Sequence, residues 1–254
     1  MSADVLIVGA GPTGLMLACW LARLGIHPLV IDKKEDLTRE SRALAVQART
    51  LETYDTLGIV EQALPQGVRV AAVNILLKQH RVGRIKLGEI GRGISPYPDL
   101  FVMGQDKTEQ LLLEHYREQG GEVRWETTLG ELKQDAEGVS AQLCSPAGQA
   151  ETVRARYVCG CDGAGSSVRQ ALGIEFAGGT YAQRFFVADV RGSGRLAKNE
   201  LSICFSKGFL GFFPMLGQDH YRIVGIVPPS LLDRQDLTFE DIRSDIERES
   251  SAAA

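Results

Sequence analysis

Hydrophobic and polar positions follow two different periods along the chain. Val5-Leu6-Ile7-Val8 is an unbroken apolar run with β-branched members, the pattern of a strand buried on both faces of a parallel sheet. A glycine-rich turn follows. Residues 13–24 then place Leu17, Leu21 and Leu24 at i, i+4 and i+7, which predicts a helix burying that stripe. Gly25 is positioned to end it, because glycine adopts the left-handed C′ conformation without strain. Leu29-Val30-Ile31 reads as the next buried strand, so the opening segment is a βαβ unit with a right-handed crossover.

Further on, residues 46–57 read as a helix, and 68–77 and 82–87 as strands of a hairpin-like excursion. Phe101-Val102-Met103 is a short strand before a helix over 106–119, which Gly120-Gly121 stops. Strands follow at 123–125, 129–133, 139–143 and 152–158. In the last of them Val153, Ala155 and Tyr157 alternate with Arg154 and Arg156. Beyond Gly173 the helices disappear and strands come in succession, at 185–190, 201–205, 210–213 and 221–227, before a charged helix at 239–249. That change predicts two domains. Residues 1–175 form a Rossmann-like α/β domain with a β excursion at about 68–100, and residues 176–254 open a sheet-rich region.

The 254 residues are enough for a substantial core, and a net charge of −4 argues against nucleic acid as a partner. Five cysteines without framework spacing point to reduced thiols and a cytoplasmic location. Cys159-Gly160-Cys161 has no second pair, and His27, His80, His115 and His220 are scattered, so no metal is expected. The apolar stretch 5–31 is interrupted by Gly9, Gly11, Pro12 and Gly14 and contains Arg23 and His27. It is therefore read as strand, turn, helix and strand in a soluble protein, with neither a membrane span nor a signal sequence.

Chemistry concentrates in a few short segments. Gly9-Ala10-Gly11-Pro12-Thr13-Gly14 matches G-x-G-x-x-G between a strand and a helix, the context in which the pattern has meaning. Gly9 permits the tight turn, Gly11 lets a pyrophosphate approach the backbone, and Gly14 lets helix and strand pack closely. Pro12 suits the first helical turn, and the free amides there, with Thr13, face the phosphates. Asp32 ends the second strand 18 residues after Gly14, beside Lys33, where a carboxylate can accept from ribose hydroxyls. Together these predict an ADP-containing dinucleotide and leave FAD and NAD both open.

Three further segments narrow the choice. They are Val158-Cys159-Gly160-Cys161-Asp162-Gly163-Ala164-Gly165-Ser166-Ser167-Val168-Arg169, the run 41–52 containing Arg42, and Gly104-Gln105-Asp106-Lys107-Thr108-Glu109. In order and type they resemble the para-hydroxybenzoate hydroxylase-like, class A flavoprotein monooxygenases. The resemblance implies a glutathione-reductase-type FAD-binding fold, with Arg42, Gln105 and Asp162 joining the glycine turn at FAD. It implies NAD(P)H as co-substrate, O2, and hydroxylation of a phenolic or polyketide-like aromatic through a C4a-hydroperoxyflavin, with a homodimer left open. The tract 209–216 resembles the family's sheet element near the substrate and reads equally well as plain core. No catalytic residue is assigned. Family members also carry a G-D-A-x-H segment that this sequence lacks, since Gly217-Gln218-Asp219-His220 departs from it. The expectation is a truncated chain, and the alternative reading is a catalytically silent FAD- or nucleotide-binding module of the same fold.

Overall fold

A computed structural model describes residues 2–38, 43–77, 80–192, 198–205, 208–217, 219–234 and 236–252. The chain opens with β1 (Ser2–Val8), α1 (Pro12–Arg23) and β2 (Leu29–Ile31). Then come β3 (Ala45–Val46), α2 (Ala48–Leu57), α3 (Val60–Ala63), β4 (Val68–Val70), β5 (Ala72–Leu77), β6 (His80–Lys86), α4 (Leu87–Ile90) and β7 (Leu100–Val102). The middle of the chain supplies α5 (Gln105–Glu118), β8 (Val123–Arg124), β9 (Thr128–Asp135), β10 (Gly138–Cys144), β11 (Ala150–Gly160) and α6 (Ser167–Ala171). Last are β12 (Phe185–Arg191), β13 (Glu200–Phe205), β14 (Phe209–Pro214), β15 (His220–Ile226) and α7 (Phe239–Ala252). They fall into two compact units, Met1–Ser41 with Gln105–Gly178, and Arg42–Gly104 with Gly179–Ala254.

The first unit is a six-stranded sheet in the order β8-β2-β1-β11-β10-β9. β8, β2, β1 and β11 run parallel, β10 is antiparallel to β11, and β9 is antiparallel to β10. Val8 is in register with both Ile31 and Gly160, so three parallel strands end level with one another. Leu6, Val8, Ile31, Ala141, Leu143 and Val153 make one core cluster. α1 packs against α5, and the buried Cys19 thiol donates to the Leu112 carbonyl at 3.3 Å. Burial pushes that thiol's pKa up to about 12, so it acts as core.

The face that α1 buries differs from the expected one. Leu15, Ala18, Cys19 and Ala22 are buried, whereas Leu17 and Leu21 are half-buried and Leu24 is exposed. Small side chains on the inner face let the helix approach its neighbours closely, α5 among them. The helix ends as expected at Gly25, with φ +78. The Gly25 and Ile26 amides donate to the Ala22 and Leu21 carbonyls at 2.9 Å, a Schellman arrangement.

The second unit is built on the sheet β12-β15-β14-β13-β5-β6, with a smaller sheet β3-β7-β4. β5 and β6, expected as an excursion of the first domain, are instead two strands of this later sheet. Residues Ala72–Leu77 run parallel to Glu200–Phe205. A parallel pairing across so long a stretch of chain leaves no trace in local periodicity, which explains the difference. On one side, Leu76, Cys204, Leu210, Phe212 and Ile223 pack with Ile242 and Ile246 of α7. Another cluster gathers Leu44, Val70, Val102 and Leu201 with Ile203, Phe213 and Met215. Among the described residues, no helix is long and apolar enough to cross a membrane.

Candidate cofactor site

The site begins where β1, β2 and β11 end level, because the residues following them meet at one edge. This carboxyl edge is where open α/β sheets bind ligands. Gly9 turns the chain out of β1 with φ +106, and a Cβ there would lie 2.4 Å from the Cys161 carbonyl oxygen. At Gly14 a Cβ would lie 1.8 Å from the Gly9 carbonyl oxygen. No side chain fits at either position, so the turn is pressed between α1 and the end of β11. Gly11 is different. A Cβ there would meet nothing within 4 Å. Gly11 is also the N-cap of α1, with no side-chain cap, Pro12 at the first position and no acidic residue in the first turn. Uncapped amides and open space at a helix N-terminus are the features a pyrophosphate requires. Thr13 is exposed in that same turn.

Asp32 is buried at 7% exposure, and its Oδ2 accepts from the Ala10 amide at 2.7 Å. Its Oδ1 accepts from the Lys34 amide at 2.9 Å. The carboxylate therefore fixes the glycine turn, and each oxygen retains a second lone pair for a ribose hydroxyl. Lys33 beside it is exposed. Lys34 faces inward, 3.9 Å from Asp32 Oδ2 and 3.8 Å from Glu109 Oε2, and donates to Thr38 Oγ1 at 2.9 Å.

Asp162, two residues beyond β11, accepts from the first turn of α6, whose N-cap is Ser166. Its Oδ2 accepts from the Ser167 amide at 2.6 Å and the Ser167 hydroxyl at 2.7 Å. Burial raises the pKa of this carboxyl, but hydrogen bonds from Ser166 and Ser167 outweigh burial and hold it below the usual carboxylate value. Its Oδ1 is buried without a hydrogen-bond partner. A buried acceptor left unmatched is costly and suits a donor on a ligand. Arg169, the last residue of the fingerprint, donates to the Ala164 carbonyl at 2.6 Å and lies 4.7 Å from the Phe176 ring.

Gln105 is the first residue of α5, and its Nε2 donates to Glu109 Oε1 at 2.8 Å. Glu109 was not singled out from the sequence, although it closes the Gln105 segment one helical turn on. Arg42 lies outside the described residues. Of the tract at 209–216, Leu210 and Phe212 are core, while Phe213 packs with the second cluster. On the neighbouring strands Arg222 is buried and forms two hydrogen bonds of 2.6 Å with Asp189. That guanidinium holds the Asp189 carboxyl below its usual value, against the opposing effect of burial. Among the described residues no cluster of histidine, cysteine and carboxylate side chains is placed to hold a metal.

Comparison with known proteins agrees with this geometry. The family model described as "FAD binding domain" matches residues 2–254. A flavin-dependent monooxygenase of Mycobacteroides abscessus is 34% identical, over 94% of this chain and 56% of its own length. Rifampicin monooxygenase of Streptomyces venezuelae is 38% identical, over 69% of this chain and 35% of its own. The chain thus spans about half or less of the length of these curated relatives. Among solved structures, the flavin-dependent monooxygenase PieE with FAD and substrate matches with TM-score 0.83 at 26% identity, over 100% of this chain and 47% of that one. Aklavinone-11 hydroxylase with FAD and aklavinone matches with TM-score 0.82 at 26% identity, over 98% of this chain and 50% of that one. The chain belongs to the FAD-binding domain family, that of the para-hydroxybenzoate hydroxylase-like class A flavoprotein monooxygenases, and FAD is its cofactor.

Proposed function

We propose that this chain is the cofactor-binding part of a monooxygenase that hydroxylates an aromatic substrate, phenolic or polyketide-like, with NAD(P)H and O2. One observation carries the reading: Gly9, Asp32 and Asp162 leave three adjacent, level parallel strands at the same edge. The relatives named for rifampicin and aklavinone support a polycyclic aromatic as the substrate class.

In this reading the amides of the α1 N-terminus and the Gly11 backbone take the pyrophosphate, with Lys33 adding positive charge from the exposed side. Asp32 takes the ribose, while Gln105, Arg42 and Asp162 take the remainder of the cofactor chain. FAD, when bound, would supply the redox chemistry that passes the electrons of NAD(P)H to O2, in a site the protein must shield from water. The apolar sheet of the second unit, with Phe209 and Phe213, is the proposed substrate wall.

The test is the visible spectrum of the purified chain after incubation with FAD, followed by NAD(P)H oxidation with and without phenolic compounds. A bound-flavin spectrum and phenol-stimulated oxidation support the reading. A colourless protein that cannot be reconstituted overturns it for this chain. Bound flavin without stimulated oxidation leaves only the silent binding module.

A further inference from the structure

Glu109 is completely buried. A carboxylate in that position is costly unless it is hydrogen-bonded and near positive charge. Here it is both. Oε2 accepts from the Thr38 amide at 3.0 Å, Oε1 accepts from Gln105 Nε2 at 2.8 Å, and Lys34 Nζ stands 3.8 Å away. Gln105 turns its NH2 toward the accepting Oε1 of Glu109, and the plane of its amide is thereby set. Lys34 continues the connection, its Nζ 3.9 Å from Asp32 Oδ2, which also accepts from the Ala10 amide of the glycine turn. A leucine would fill the same space without orienting anything.

We propose that Glu109 is a positioning residue for FAD: it fixes the amide of Gln105 and, through Lys34, couples it to the carboxylate that holds the glycine turn. The proposal rests on the reading above that Gln105 contacts the cofactor. Glu109→Gln tests it with little change of shape. With Gln105 in its present orientation the new amide must direct its NH2 at either the Thr38 N–H or the Gln105 NH2, and relief requires Gln105 to flip and present the opposite end of its amide to FAD. The exchange Gln105→Glu with Glu109→Gln repairs this, since the amide at position 109 can accept from Thr38 and donate to a carboxylate at position 105. Internal bonding is restored, but the group presented to FAD is changed.

FAD dissociation constants from fluorescence quenching, with melting temperatures of the FAD-free proteins, decide the matter. Gln105→Ala and Glu109→Gln are each expected to weaken FAD binding about tenfold, and the double variant no more than about threefold beyond Gln105→Ala. The exchange should recover the FAD-free melting temperature to within about 2 °C while leaving FAD binding weak. Gln105→Ala weakening FAD while Glu109→Gln does not, or additive losses in the double variant, overturns the inference and leaves the cofactor reading intact. Wild-type affinity in Gln105→Ala removes the reading of Gln105 and the inference with it. Full recovery of FAD affinity in the exchange shows Glu109 to be structural only. If Glu109→Gln alone does not fold, the exchange carries the decision.

Discussion

The two units each contain a six-stranded sheet, yet the glycines of the Gly9–Gly14 turn in the first differ from Gly211 and Gly225 within the sheet of the second. In the first unit, Cβ atoms at Gly9 and Gly14 would strike main-chain oxygens at 2.4 and 1.8 Å. In the second, a Cβ at Gly211 would meet ring edges of Phe213 and Phe209 at 3.0 and 3.4 Å, and one at Gly225 would meet the tips of Phe186 and Leu210 at 2.5 and 2.6 Å. Ring edges can turn aside, whereas backbone held in a sheet cannot. The cofactor edge is therefore a backbone construction that leaves little latitude in sequence. The surface of the second sheet is shaped by side chains that can be exchanged one at a time.

The largest effect that would test this contrast is at Gly14. Gly14→Val should cost about 3 kcal/mol or more and abolish FAD binding, whereas Gly211→Ala should cost about 1 kcal/mol, because only side chains must adjust. Denaturant unfolding of the two variants makes the comparison, and equal losses would break it. Next comes Gly11→Val. Space is open there, so the FAD-free protein should melt within a few degrees of wild type while FAD binding weakens on the order of a hundredfold. Parallel loss of both would mean that Gly11 serves packing alone.

The same contrast explains what was legible in the sequence. The glycine turn, Asp32 and the Asp162 fingerprint could be read because each residue type answers a backbone constraint that leaves a local signature. The buried face of α1 was misplaced because Ala18 and Ala22 carry too little hydrophobicity to mark an inner face, although their small size is what puts them there. β5 and β6 were assigned to the wrong unit because the partner of β5 is β13, far along the chain. Glu109 went unnoticed because a charged residue on a helix ordinarily faces water, and only its three partners reveal its burial. The Arg222 and Asp189 pair was hidden because the two lie on separate strands, and only the register of β12 with β15 sets them side by side.

That pair provides a smaller test, in the second unit. Asp189 has its side chain 46% exposed, so removing its charge should cost about 1 kcal/mol, less than for a fully buried pair. Its folded-state pKa is depressed, chiefly by the hydrogen bonds from Arg222. The stabilisation is then present above the unfolded carboxylate value of about 4 and is lost as pH falls through the lowered folded value. Asp189→Asn should be less stable than wild type at neutral pH, and the two should converge in acid. A gap that stays constant with pH would assign the stability to shape and leave the charge no part in it.

The smallest expected effect divides two adjacent lysines within the first unit. Lys34 is held by Thr38, Asp32 and Glu109, while Lys33 is exposed. Lys34→Ala removes a cation from beside two buried carboxylates, so it should lower both the melting temperature and FAD affinity. Lys33→Ala should leave stability within about 0.5 kcal/mol, as surface substitutions usually do. If Lys33 supplies loose charge to the phosphates, its removal weakens FAD about threefold at low ionic strength, and salt on the order of 0.5 M erases the difference. FAD titrations of the two variants at both salt concentrations separate the roles. A Lys33 effect that survives salt would place that side chain in a fixed, direct contact, and the division between the rigid edge and its adjustable surroundings would then run one residue further out.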